Sequence, residues 1–270
     1  MHIIICRDDF TAVWDRVFYK KLSDWPHITD WEVRTLQEFI AYEASHGRSC
    51  TLECDDAALR AEIEQKLTDR RYLQTIRPEK LTECTACPLR QGCMTDLICH
   101  TTEPKNAASI FASGKLLSAV RARGLSAAEL VAEPRNAAND PEDFFHYVML
   151  SWGNCQAGDR LVMERKLGRF PDEEDLSVHF TPGVRFYFRY DALVQHPNAT
   201  FDGFLPMKIK DELILADWLH VMIIPEALRG ELEPIIPDNL RSRTLFIEND
   251  RKDIWDWSEK VYCAARAFSL

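Results

Sequence analysis

Three groups of residues in this sequence have types and spacings that could do chemistry. The first is Leu97-Ile98-Cys99-His100-Thr101-Thr102, an apolar run ending in a histidine and two threonines, before Pro104 opens a helix that Gly114 closes. A histidine fixed at a strand end offers two ring nitrogens to a ligand hydroxyl or carbonyl, and the threonine hydroxyls add to the same ligand. The alternative is an imidazole that only caps the following helix. The second group is Lys210-Asp211-Glu212-Leu213-Ile214-Leu215, where a glutamate opens an apolar strand. A carboxylate in such a place needs a partner or a function. The simple partner would be Lys208 or Lys210 at the surface. The third group is Cys84, Cys87, Cys93 and Cys99, four of the nine cysteines within sixteen residues. The Cys84-x-x-Cys87 pair puts two thiolates on one tight turn, as tetrahedral zinc requires. The second half lacks such a pair, so an iron–sulfur cluster, a disulfide or unliganded thiols compete with zinc. A zinc held by all four thiols would be structural, because no coordination position stays open.

An aromatic stretch, Phe144 to Trp152, reads first as core, with Tyr147 able to stack on a flat heterocycle. No GxSxG, HExxH, P-loop or GxGxxG pattern occurs. The 33 basic and 43 acidic residues give a formal net charge of −10, which argues against a general cationic coat for nucleic acid but not against a local basic cleft. Acid is concentrated between Asp211 and Leu240, with seven carboxylates against one arginine. Hydrophobic residues make up 46%, enough apolar surface to exclude a disordered chain. No apolar run approaches the roughly 18 residues of a membrane span, and MHIIICRDDF is too short for a secretory core, so a cytoplasmic chain with no membrane partner is expected.

These groups must be positioned by regular elements. The pattern predicts a strand over residues 1–6, helices over 10–22 and 30–45, a strand over 49–54 and a helix over 57–67 begun by Asp55-Asp56. Strands are expected at 96–101, 147–152, 184–190, 212–215 and 221–224, a helix from Pro104 to Gly114, a long helix–loop region over 119–143 and a closing helix near 253–267. Few of these strands are separated by regular crossover helices, which argues against a doubly wound sheet.

In order, these pieces resemble the ADP-ribosyltransferase fold. ICHTTEPKNAASIFASGKLLS is similar to the opening of the DarT-like DNA ADP-ribosyltransferases, with Cys99 where they carry an aromatic and Gly114-Lys115 where they close on Gly-Leu. KDELILADWLHVMIIPE resembles their late glutamate strand, and FRYDAL the strand before it. The resemblance covers residues 97–225. It implies an α+β fold, a split β-sandwich with flanking helices, over 97–270. A small α/β unit at 1–83 and the Cys-rich connector at 84–99 would precede it. It also implies NAD as substrate. His100 would bind the adenosine ribose and the nicotinamide amide, with Thr102 in support. Tyr147 would stack on the nicotinamide, and Glu212 would hold the ribose 2′-hydroxyl. Arg135 would contact the phosphates, with Arg121 and Arg123 as rivals. Lys210 stands where the family carries an acidic residue or glutamine, which turns attention from arginine or glutamate acceptors toward nucleic acid, a small molecule or another protein side chain. The expected activity is mono-ADP-ribosyl transfer or NAD glycohydrolysis. The competing expectations are a zinc-clipped binding module of the same fold without activity, in which Glu212 is salt-bridged, and an enzyme built on a redox cluster.

Overall fold

The computed structural model describes residues 1–7, 11–74, 95–136, 138–250 and 253–269. The fold is mixed α+β and divides into two units. The first comprises Met1–Lys80, Ser118–Tyr147 and Thr200–Lys210; the second comprises Leu81–Leu117, Val148–Ala199 and Asp211–Leu270. This differs from the expected division at 1–83, 84–99 and 97–270, because two later stretches of chain complete the first unit.

In the first unit β1 (His2–Cys6) pairs in parallel with β3 (Val17–Lys21) and with β4 (Thr51–Cys54), while β2 (Ala12–Trp14) lies antiparallel to β3. The strand order is β2-β3-β1-β4. The helix expected over 10–22 is therefore a hairpin over its described part. Asp15 and Arg16 both take positive φ, 47° and 63°, forming a two-residue turn whose twist matches the strands. The flanking Val13, Val17, Phe18 and Tyr19 are β-branched or aromatic and suit a pleated surface. Helix α1 (Asp30–Ser45) starts from a reciprocal capping box of Thr29 and Glu32, and α2 (Ala57–Leu67) from the Asp56 side chain. Val33, Leu36 and Phe39 of α1 and Leu59 and Ile63 of α2 bury against Ile3, Ile5 and Phe18. The returning segment around Gly203 presses its backbone on α1. A Cβ there would meet Thr35 O and Phe39 N, and φ is 70°, so only glycine fits.

The second unit is built on β5 (Leu97–Thr102). Helix α3 (Pro104–Ser113) follows it and ends at Gly114, whose φ of 66° is the left-handed cap that turns the chain into β6 (Lys115–Leu117). Next come β7 (Tyr147–Trp152), at whose first residue the units divide, α4 (Ala157–Leu167) and β8 (Val184–Arg189). The chain closes with β9 (Glu212–Ile214), β10 (Leu219–Pro225), β11 (Thr244–Ile247) and α5 (Ile254–Ala267). Within the unit the main strands run β11-β10-β8-β5-β7. β5 is central and antiparallel to both neighbours. Leu97 and Cys99 on one face of β5 join Tyr187, Val221 and Ile223 under Trp257, Val261 and Tyr262 of α5. Successive strand residues alternate faces, so His100 and Thr102 lie on the face opposite this core. Among the described residues no helix is long and apolar enough to cross a membrane.

Candidate functional site

His100 gains its position from the register of β5, where it stands opposite Phe186 of β8. Its Nδ1 lies 3.1 Å from the Met149 carbonyl oxygen of β7. A carbonyl only accepts, so Nδ1 carries the proton and the neutral ring leaves Nε2 as an acceptor. Burial holds the imidazole below its ordinary value of 6.5, against the favourable Met149 bond and with Arg165 adding repulsion. The ring is thus a neutral acceptor of fixed tautomer, suited to a ligand hydroxyl or amide N–H.

The flanking threonines are set differently. Thr102 is buried, and the Asn106 amide of α3 donates to its Oγ1 at 3.4 Å. Thr101 points the other way, into space kept open by two glycines. A Cβ at Gly158 would collide with Thr101 Oγ1, and one at Gly183 would lie 2.6 Å from Thr102 O and 2.9 Å from Thr101 Cγ2. Behind them, a buried polar knot fixes this end of the strand. Arg185, opposite Thr101 on β8, donates from Nε to Asp159 Oδ2 at 2.8 Å and from Nη2 to Ser258 Oγ at 2.6 Å. Its Nη1 reaches Gly153 O at 3.3 Å and Tyr187 Oη at 3.2 Å. Asp159 Oδ1 accepts from Gly183 N at 2.8 Å. Burial opposes the guanidinium charge, but the Asp159 carboxylate outweighs it and holds the group well above its ordinary value.

Glu212 opens β9, immediately after Asp211, which has φ of 66°. A left-handed backbone is unusual for a residue with a side chain, and aspartate tolerates it better than most. The turn starts a separate two-stranded ladder. Glu212 stands opposite Leu117, Leu213 opposite Leu116 and Ile214 opposite Lys115 of β6. Leu215 N also donates to Gly114 O at 2.9 Å, tying the helix cap to the end of the glutamate strand. Lys115 and Glu212 are diagonal neighbours on this ladder, and Lys115 Nζ donates to Glu212 Oε1 at 2.8 Å. The partner expected for Glu212, Lys208 or Lys210, is replaced by a lysine far away in sequence.

Lys208 is engaged elsewhere, in the first unit. It is fully buried, with Nζ 2.9 Å from Asp202 Oδ2 at an angle that makes a charge contact rather than a hydrogen bond. The ammonium lies 3.7, 4.3 and 4.7 Å from the ring centroids of Tyr42, Phe144 and Tyr147. Burial pushes its pKa down, while Asp202 pulls the other way. Tyr147, expected to stack on a ligand, thus gives its ring to this cation. Arg135 is exposed, just after the short helix Ala127–Val131. Of the residues singled out, His100, Thr102 and Glu212 belong to the second unit, and Tyr147 and Arg135 to the first.

Comparison of the chain with protein-family models, with curated proteins and with solved structures finds no match.

Cys84, Cys87 and Cys93 lie outside the described residues. Cys99 is 1% exposed within the core, its sulfur lies 3.7 Å from Trp152 O, and burial pushes its thiol up to about 11. Among the described residues no three His, Cys, Asp or Glu side chains are grouped to hold a metal ion. The residue that sequence reasoning missed is Lys115. Its signal was the lysine after Gly114, at the one position of that helix cap where the resemblance has leucine.

Proposed function

We propose that the chain is an NAD-dependent mono-ADP-ribosyltransferase or NAD glycohydrolase, with the split β-sandwich of that fold in its later part. One observation carries the reading. The two segments singled out for chemistry, ICHTT…SGKLL and KDELIL, are separated by about a hundred residues of sequence yet hydrogen-bond to each other through β6 and β9. The strand bearing His100 runs through α3 and the Gly114 cap directly into the strand that pairs with Glu212.

In this reading His100 Nε2 accepts from a ribose hydroxyl of NAD, which its fixed tautomer and neutral state suit. Thr102 and Asn106 hold the end of β5 in place. Glu212 binds the 2′-hydroxyl of the nicotinamide ribose. The C1′–N bond breaks with its electron pair leaving on nicotinamide, and positive charge develops on the ribose as in glycoside hydrolysis. A carboxylate fixed beside that ribose lowers the barrier by opposing the charge. Tyr147 and Arg135, the ring and phosphate contacts that the resemblance implies, belong to the first unit. No zinc step enters the chemistry.

The second reading is a binding module of the same fold without activity, and the Lys115–Glu212 ion pair favours it. Nicotinamide release from NAD separates the two. Glu212→Gln is nearly isosteric and should lower release by about a hundredfold or more with the fold intact. Equal release by both proteins would end the assignment of Glu212, and no NAD binding by either would leave the binding module.

A further inference from the structure

We infer that Lys115 selects the acceptor of ADP-ribose, and that the acceptor is an oxyanion, a phosphate monoester or a carboxylate. The inference rests on the transferase reading above.

Lys115 Nζ spends one N–H on Glu212 Oε1 at 2.8 Å. Its side chain is 36% exposed, and its other two N–H donors have no partner among the described residues. A second exposed lysine, Lys210, precedes Glu212 by two residues. A cation that touches the ribose-binding carboxylate and still has free donors repels a cationic acceptor and attracts an anionic one.

The proton balance points the same way. A hydroxyl, amide or ring N–H acceptor must lose a proton as it attacks, and so needs a base beside C1′. Glu212 Oε1 already accepts from Lys115 Nζ, so a proton delivered to that oxygen would displace the lysine. An oxyanion arrives already deprotonated. Its lone pair forms the C1′–O bond while the C1′–N pair leaves on nicotinamide. The pyridinium loses its positive charge, the oxyanion one negative charge, and no proton moves. Lys115 then leaves part of its contact with Glu212 to hold a second oxygen of the acceptor, and Glu212 turns to the ribose.

The test incubates the full chain and NAD with phenyl phosphate, with benzoate or with benzyl alcohol as the neutral control. Nicotinamide release and the mass of the ADP-ribosyl adduct are followed. We expect release and adduct to rise with one of the two anions and not with benzyl alcohol, and the responding arm names the acceptor class. Lys115→Met should raise the acceptor KM about tenfold or more, the weight of one charge-assisted hydrogen bond, with a smaller effect on the KM for NAD. Lys115→Arg should restore most of the loss, which a general folding defect would not allow. Benzyl alcohol matching the anions, or an acceptor KM indifferent to Lys115→Met, would overturn the inference. Glu212-dependent release that no anion stimulates would sink the acceptor class and spare the transferase reading. No release in any arm would remove both.

Discussion

Replacing the Asp159 carboxylate by its amide would test the knot that fixes the end of the His100 strand. Both Asp159 and Arg185 are fully buried, and every guanidinium nitrogen is hydrogen-bonded. Asp159→Asn keeps the shape and keeps an oxygen for Gly183 N. It removes the counter-charge and sets a donor against the guanidinium. Breaking one side of a buried ion pair costs about 3–5 kcal/mol, because the other charge stays buried without compensation. That is a large part of the roughly 5–15 kcal/mol by which a domain is stable. At roughly 2–4 °C per kcal/mol for a cooperative unit of 150–250 residues, the melting temperature should fall by roughly 6–20 °C. Arg185→Met should cost a similar amount. The double variant has no uncompensated charge, so it should be less destabilised than the sum of the singles by about 2 kcal/mol or more. Urea unfolding followed by tryptophan fluorescence measures all four proteins, with Trp257 reporting from the same core. Singles within about 1 kcal/mol of the parent, or a strictly additive double, would refute the argument.

Two further outcomes follow from packing and protonation. Gly158→Ala should destabilise by about 1–3 kcal/mol, because its Cβ meets Thr101 Oγ1 and Cβ, and Thr101→Ala, which removes the first of these atoms, should recover part of the loss; thermal melts of the pair decide it. Burial depresses the His100 pKa, so the unfolded chain takes up a proton near 6.5 before the folded one does. The stabilisation from the neutral ring is present above 6.5 and is lost as pH falls through the lower folded value. Melting temperature should therefore drop between pH 7.5 and about 5, and His100→Gln should flatten that drop; an unchanged slope would show that the ring titrates as it does in water.

Much of the fold was legible where local signals agreed. Asp56, and Pro104 with Gly114, bounded helices as capping rules require, and the start of α2 and both ends of α3 follow from them. The Tyr147–Trp152 strand was equally plain. The β2–β3 hairpin was not, because its turn is Asp15-Arg16 rather than an Asn-Gly or Asp-Gly pair. α4 was missed because its buried Asp159 breaks the apolar stripe that marks a helix, and the reason for that aspartate, Arg185, lies on another element. At the candidate site, His100 and Glu212 could be singled out by residue type. Their ladder connection through β6 depends on long-range pairing that no local pattern encodes. The same holds for Lys208, whose lysine character gave no sign of full burial against three aromatic rings.

The first unit is assembled from three separate stretches of chain, the last of which ends at Lys210. During synthesis its sheet and first two helices can collapse early, but Lys208, Asp202 and Gly203 reach α1 only after most of the chain has left the ribosome. Until then the pocket that receives Lys208 lacks its cation, and α1 lacks the backbone that lies across it. Completion of this unit is therefore a late, non-local event, the kind that slows folding and lengthens exposure of unfinished surface. Loop insertions or swaps between residues 81 and 199 alter the distance over which that closure must occur, even when they leave both cores untouched.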